Sequence, residues 1–62
     1  MKEYYYKDIY GRFCLVEVYN RDDGNYDVTA RIHSLKKIVF RGIYTKEELE
    51  DCIRRYNMKE II

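Results

Sequence analysis

The side chains able to do chemistry are few, and their spacing argues against most of the chemistry they could do. His33 is the single histidine of the chain, and no Cys, Asp or Glu stands at a metal-ligand spacing from it. Ser34 adjoins it, but neighbours in a strand point to opposite faces, so adjacency does not create a serine–histidine nucleophile pair. Cys14 and Cys52 fall on core-facing positions of a strand and a helix, where a thiol acts as a small buried hydrophobe. A stress disulfide and a reactive thiol are the alternatives for them. Glu47, Glu48, Glu50 and Asp51 belong to one helix, where carboxylates at the solvent side and in the first turns favour the dipole. Asp22-Asp23-Gly24-Asn25 offers oxygen ligands, but it lacks the distal glutamate of a calcium loop and reads as an acidic hairpin turn. The three glycines are isolated, so no phosphate-cradling loop exists. No catalytic centre, no metal and no cofactor is expected. The chain is expected to act by binding.

The bulk properties limit what it can bind. Sixty-two residues make a single small domain, 1–62, and a domain of this size buries only about 60% of the surface its unfolded chain exposes. A homodimer is one way to cover the remainder. Eight of the residues are tyrosines, amphipathic side chains suited to a half-exposed sheet or an interface. The formal net charge is +1, so any attraction to a polyanion must rest on how charge is distributed. No apolar run is long enough for a signal peptide or a membrane span, and two cysteines are too few for a disulfide scaffold. A cytoplasmic chain with free thiols, and no membrane partner, is the expectation. Neither a linker nor a repeat is visible.

The elements that must position the binding residues follow from periodicity. Residues 1 to 10, with Tyr4, Tyr5 and Tyr6 in a row, read as a first strand, and Asp8-Ile9-Tyr10-Gly11 as a type I turn. Arg12 to Asn20 is the most strand-like run. It sets Cys14, Val16 and Val18 on one face and Phe13, Leu15, Glu17 and Tyr19 on the other. Asp23-Gly24 marks a hairpin. Tyr26 to His33 then alternates, with Tyr26, Val28, Ala30 and Ile32 toward the core and Asp27, Thr29, Arg31 and His33 away from it. In Lys37 to Ile43 the same alternation puts Ile38 and Phe40 inward, Lys37, Val39 and Arg41 outward, and Gly42 where the chain leaves the sheet.

Thr45-Lys46-Glu47-Glu48 has the spacing of a capping box, with Tyr44 before it as a hydrophobic staple. The helix it starts carries Leu49, Cys52, Ile53 and Tyr56 on one apolar stripe, and it ends near Asn57, which tolerates a left-handed backbone. A short tail follows, whose Ile61 and Ile62 either tuck against the helix–sheet seam or meet another molecule. The fold class is α+β: a three- or four-stranded antiparallel β-meander with one C-terminal α-helix packed on one face. The expected core is Val16, Val18, Val28, Ala30, Ile32, Ile38, Phe40, Leu49, Ile53 and Tyr56.

Such a fold leaves one sheet face open. The binding residues expected on it are Phe13, Leu15, Tyr19, Arg31, His33, Lys37, Val39 and Arg41, with the helix carboxylates on the opposite side of the domain. A merely solvated face would not hold that much apolar surface, which favours a protein partner. Cations interleaved with aromatics on an antiparallel sheet make duplex DNA the alternative.

The junction Phe40-Arg41-Gly42-Ile43-Tyr44-Thr45-Lys46-Glu47-Glu48, at the end of three antiparallel strands and the start of a capped helix, resembles the sheet-type DNA-binding domains of the AP2 and integrase arm-binding class. The resemblance spans Arg12 to Asn57 and implies a sheet laid in the major groove, with Arg31, Lys37 and Arg41 as contacts. The chain departs from that class in having no tryptophan, little positive charge, and acids at Asp22 and Asp23 in a hairpin loop. In style it is also similar to the small tyrosine-rich proteins of phages and mobile elements, regulators and inhibitors of the anti-restriction or anti-CRISPR kind. That likeness implies a domain that acts by occupying a larger protein's surface.

Overall fold

Three tight turns double the chain back on itself, and each is built by a short polar side chain or a residue that accepts a left-handed backbone. In the first, the Asp8 carbonyl accepts from Gly11 N at 3.0 Å. The Asp8 carboxylate accepts from the backbone N–H groups of Tyr10 and Arg12, both at 2.9 Å, and from Arg12 Nε at 2.8 Å. Desolvation opposes ionisation of this carboxylate, but the Arg12 and Tyr10 bonds outweigh it and hold the group below the usual Asp range. In the second turn Gly24 N donates to the Arg21 carbonyl at 3.2 Å, and Asn25 N donates to the Asp23 carboxylate at 3.0 Å. Gly11 and Gly24 take φ of 79° and 85°, the left-handed step that closes a type I turn into a three-residue hairpin loop. The third turn spends a non-glycine residue on the same step: Lys36 has φ 56° and donates its N–H to the Ile32 carbonyl at 2.8 Å.

The computed structural model describes residues 1–61. The chain runs β1 (Lys2–Lys7), β2 (Phe13–Asn20), β3 (Tyr26–Ile32), β4 (Lys37–Tyr44), α1 (Lys46–Arg55) and β5 (Lys59–Glu60). These strands form one antiparallel sheet in the order β4-β3-β2-β1-β5, with α1 packed on one face. The α+β meander expected from the sequence is therefore present, with one strand added. The chain continues past α1 into β5, where a short tail was expected. Lys59 and Glu60 pair with Tyr5 and Tyr4, and Ile61 N donates to the Glu3 carbonyl at 2.8 Å. Ile61 thus extends the ladder, while Ile62 lies outside the described residues.

The helix begins and ends as its residues dictate. Thr45 Oγ1 accepts from Glu48 N at 3.1 Å, and the Glu48 carboxylate accepts from Thr45 N at 2.9 Å, a complete capping box. At the other end Asn57 has φ 53°. Asn57 N donates to the Arg54 carbonyl at 3.2 Å and Met58 N to the Ile53 carbonyl at 2.9 Å, the paired bonds of a Schellman cap. That cap turns Met58 back under the helix, where it is buried.

The core lies between α1 and the sheet. Tyr4 and Tyr6 of β1, Cys14, Val16 and Val18 of β2, and Val28, Ala30 and Ile32 of β3 meet Leu49, Cys52 and Met58, with Tyr26, Phe40, Tyr44 and Ile53 packed at its margin. Two expected core members lie elsewhere. Tyr56 is 41% exposed and stacks on Phe40 and tilts against Tyr6, at centroid distances of 5.6 and 5.0 Å. Ile38 is 47% exposed, and a bulge is the reason. Ala30 pairs with Phe40, but Arg31 pairs with Ile38, so Val39 is an extra residue in β4. One extra residue reverses the faces of everything beyond it. Ile38 therefore shares the outer face with Arg31, and Lys37 sits opposite the buried Ile32. Gly42 lies within β4 opposite Val28 and not at the exit from the sheet. A Cβ there would stand 3.1 Å from the Tyr44 ring, so the missing side chain makes room for Tyr44 at the helix seam.

Candidate protein interface on the open sheet face

The face turned away from α1 is built by cross-strand rows, which the register defines. Tyr19, Asp27 and Ile43 form one row; Glu3, Glu17, Thr29 and Arg41 the next; Lys59, Tyr5, Leu15, Arg31 and Ile38 a third; Lys7 and Phe13 a fourth. Of the residues expected here, Phe13, Leu15, Tyr19, Arg31 and Arg41 are in place. His33 belongs to the turn after β3, but its N–H donates to the Phe13 carbonyl at 2.9 Å. It lines a small depression of about 150 Å³ with Leu15, Glu17 and Arg31. Lys37 and Val39 are not on this face. The bulge sends Val39 to the helix side, where it lines a groove of about 520 Å³ with Tyr6, Tyr56 and Arg55, and with Ile9 and Tyr10 of the first turn.

Three participants were missed from the sequence. Tyr5 lies among three consecutive tyrosines, whose faces only the pairing separates. Ile43 follows from extending the alternation of Phe40 and Gly42 through Tyr44, had the strand been carried past Gly42. Ile38 had no sequence signal, because a bulge leaves composition unchanged.

The apolar content of the face is large for a surface. Phe13, Tyr19, Ile38 and Ile43 are 52%, 49%, 47% and 57% exposed, and Leu15 is half-buried among them. Tyr5 tilts against Phe13 with centroids 6.1 Å apart, and Lys7 Nζ lies 5.1 Å above the Phe13 ring. This edge-on arrangement leaves ring surface and a cation at one end of the face. Near the other end, Tyr19, Thr29, Arg41 and Ile43 border a depression of about 620 Å³ with Glu17, Asp27 and Arg31.

Charge on this face is balanced, where a cationic surface was expected. Arg31 Nη1 is bonded to the Glu17 carboxylate across the β2–β3 pair. Arg21 binds Asp23 at 3.2 Å and Asp27 at 3.1 Å, and hydrogen bonds to those two carboxylates raise the guanidinium further above its ordinary range. Asp23 is held low chiefly by the Asn25 N–H, with Arg21 assisting against desolvation. Glu3 and Glu17 thus stand in the same row as Arg41, and Asp27 in the row beside it. Among the described residues, Arg41 is in no ion pair.

The thiols lie on the opposite, covered face. Cys14 is fully buried opposite Tyr6, and Cys52 is buried on α1; both are free. Burial pushes the Cys52 thiol above its ordinary range, which disfavours the reactive thiolate. Burial, with the Cys14 side chain, does the same to the Tyr6 hydroxyl. Among the described residues no three His, Cys, Asp or Glu side chains come together as a metal site, and no helix is long and apolar enough to cross a membrane. In comparisons with known proteins the chain matches no family model, no curated protein and no solved structure, so the open face is the ground on which its function must be argued.

Proposed function

We propose that this chain is a non-catalytic binding domain that occupies the surface of a protein partner through its open sheet face, as a small regulator or inhibitor does. The observation that carries this reading is the exposure of Phe13, Tyr19, Ile38 and Ile43 on one face of a five-stranded sheet. These side chains flank Leu15 and the Arg31–Glu17 pair. Exposed aromatic rings beside a paired arginine are residue types that protein interfaces enrich. Duplex DNA is less well supported. Of the three cations that would contact it, Arg31 is bonded to Glu17 and Lys37 is turned off the face, while Glu3, Glu17 and Asp27 would meet the phosphates.

The test is capture from an extract of the native host. Immobilised wild-type chain and a helix-surface variant, Glu50→Lys, should retain the same protein, while the double variant Phe13→Asp with Ile43→Asp should lose it. Circular dichroism checks that the double variant is folded. Equal retention by the folded double variant would place the interface elsewhere. Sedimentation over a concentration series separates a second copy of the chain from a different partner.

A further inference from the structure

The outer edge of β4 is one of the two free edges of the sheet, the other lying at the two-residue β5. Arg21 N bonds to the Asn25 carbonyl at one end of the β2–β3 hairpin and His33 N to the Phe13 carbonyl at the other. Strand geometry therefore gives the odd-numbered residues of β3 to β2 and the even-numbered ones to β4. In β4 the partners of those even-numbered residues are Tyr44, Gly42 and Phe40. The N–H and C=O groups of Arg41 and Ile43 consequently point away from β3, along an edge that no other strand of the sheet pairs. Both side chains are exposed on the outer face. The bulge at Val39 interrupts the edge beyond them, so Arg41 to Tyr44 is its regular half.

Charge decides what fits there, because the carboxylates nearest this edge, Asp27 and Glu17, are already paired with Arg21 and Arg31. From Lys36 to Lys46 the chain carries Lys36, Lys37, Arg41 and Lys46 and no carboxylate. A second copy docked by its own β4 would bring further cations to the seam. An extended segment with a carboxylate would instead find an unpaired guanidinium at Arg41 and an apolar neighbour at Ile43.

Resting on the protein-binding reading above, we propose that the partner adds an extended, acid-bearing strand alongside β4, bonded to the backbone of Arg41 and Ile43, with a carboxylate against Arg41. Main-chain bonds then hold the segment, and alternate side chains select it.

The probe is a randomised octapeptide display library, selected on the wild-type chain and on Arg41→Glu, whose exposed position leaves the core untouched. The wild type should enrich segments of alternating apolar and acidic residues, and Arg41→Glu should exchange the acid for lysine or arginine. The leading wild-type peptide, synthesised, should bind Arg41→Glu roughly tenfold or more weakly. In amide NMR spectra it should shift and slow the exchange of Arg41 and Ile43. Identical enrichment on both chains, or none, overturns the proposal. Shifts centred on Phe13, Leu15 and Tyr19, with the Arg41 and Ile43 amides unchanged, would overturn the edge while leaving the face as the interface. Failure of the face itself is read independently from Phe13→Asp alone in the capture experiment, since Phe13 lies on the face and outside the edge site.

Discussion

Leu49→Ala tests whether α1 is held to the sheet as described. Leu49 and Cys52 are the only buried residues of the helix, so Leu49 supplies most of the apolar side chain that α1 inserts into the core. Leu→Ala in a core costs about 2 to 5 kcal/mol, the amount depending on whether the site collapses or fills. Leu49 borders an open groove of about 610 Å³ with Lys2, Tyr4, Val18, Tyr26 and Ile53. Water can enter from that side, which removes most of the cavity term and sets the loss near the low end, about 2 to 3 kcal/mol. A chain of this length has about 3 to 9 kcal/mol of stability in total, so the loss is a large fraction of it. At about 4 to 8 °C per kcal/mol, the melting temperature should fall by roughly 10 to 20 °C. Urea and thermal unfolding, followed by circular dichroism, measure both quantities. Glu47→Ala, on the exposed side of the same helix, should change stability by less than about 0.5 kcal/mol. A Leu49→Ala variant that melts within about 3 °C of wild type would refute the packing of α1.

Removal of the Thr45 hydroxyl by Thr45→Ala should cost about 1 kcal/mol in urea unfolding, since Glu48 N then loses its acceptor while residue 45 N keeps its bond to the Glu48 carboxylate; an unchanged midpoint would mean that solvent replaces the cap without loss. The alkaline limit of stability comes from groups that burial holds protonated. Tyr6, Tyr44 and Cys52 all have folded pKa values raised above their ordinary 10.0, 10.0 and 9.0, so their contribution is complete below those ordinary values and is lost as pH rises above about 9. Tyr6→Phe should extend the stable range upward, and a superimposable alkaline limb in the variant would count against this origin. On the acid side Asp8 and Asp23 have lowered folded values, so their contribution is present above the ordinary 3.8 and disappears as pH falls below it.

Most of the fold could be read from the sequence, because its signals are local. The Thr45–Glu48 box, Asn57 at the helix end and the glycines at 11 and 24 each act over three or four residues, and each does in the structure what its chemistry dictates. The alternation in β2 and β3 was equally plain, since each strand buries three alternate residues in succession. The errors lie where the deciding contact is distant. No residue type marks Val39 as a bulge, so the faces of Lys37, Ile38 and Val39 came out reversed. Lys59 and Glu60 have no strand signature of their own, and β1, more than fifty residues away in sequence, makes them a strand. The same limit applied to the interface. Phe13, Leu15, Tyr19, Arg31 and Arg41 were found by alternation, but the pairing of Arg31 with Glu17 and the balanced charge of the face depend on which rows the strands share.

The junction of β5 with β1 also bears on how the domain opens. The β1–β2, β2–β3 and β3–β4 pairs are hairpins that close over short turns, whereas Tyr4 and Glu60 meet only after nearly the whole chain has been placed. Closing so long a loop is entropically late, and two residues of ladder return little for it. Yet this short strand follows directly on Met58, which fills the core beside Tyr4 and Tyr6. Helix α1 is thereby strapped across the sheet, joined to β4 through Thr45 at one end and fastened to β1 at the other. Release of the β5 strap frees one end of the helix and lifts Met58 away, exposing the first tyrosines to solvent. Apart from Lys59, the outer face is made by β1 to β4, whose pairings to one another do not involve β5. The domain can breathe on its helical side without dissolving the open face proposed as its interface.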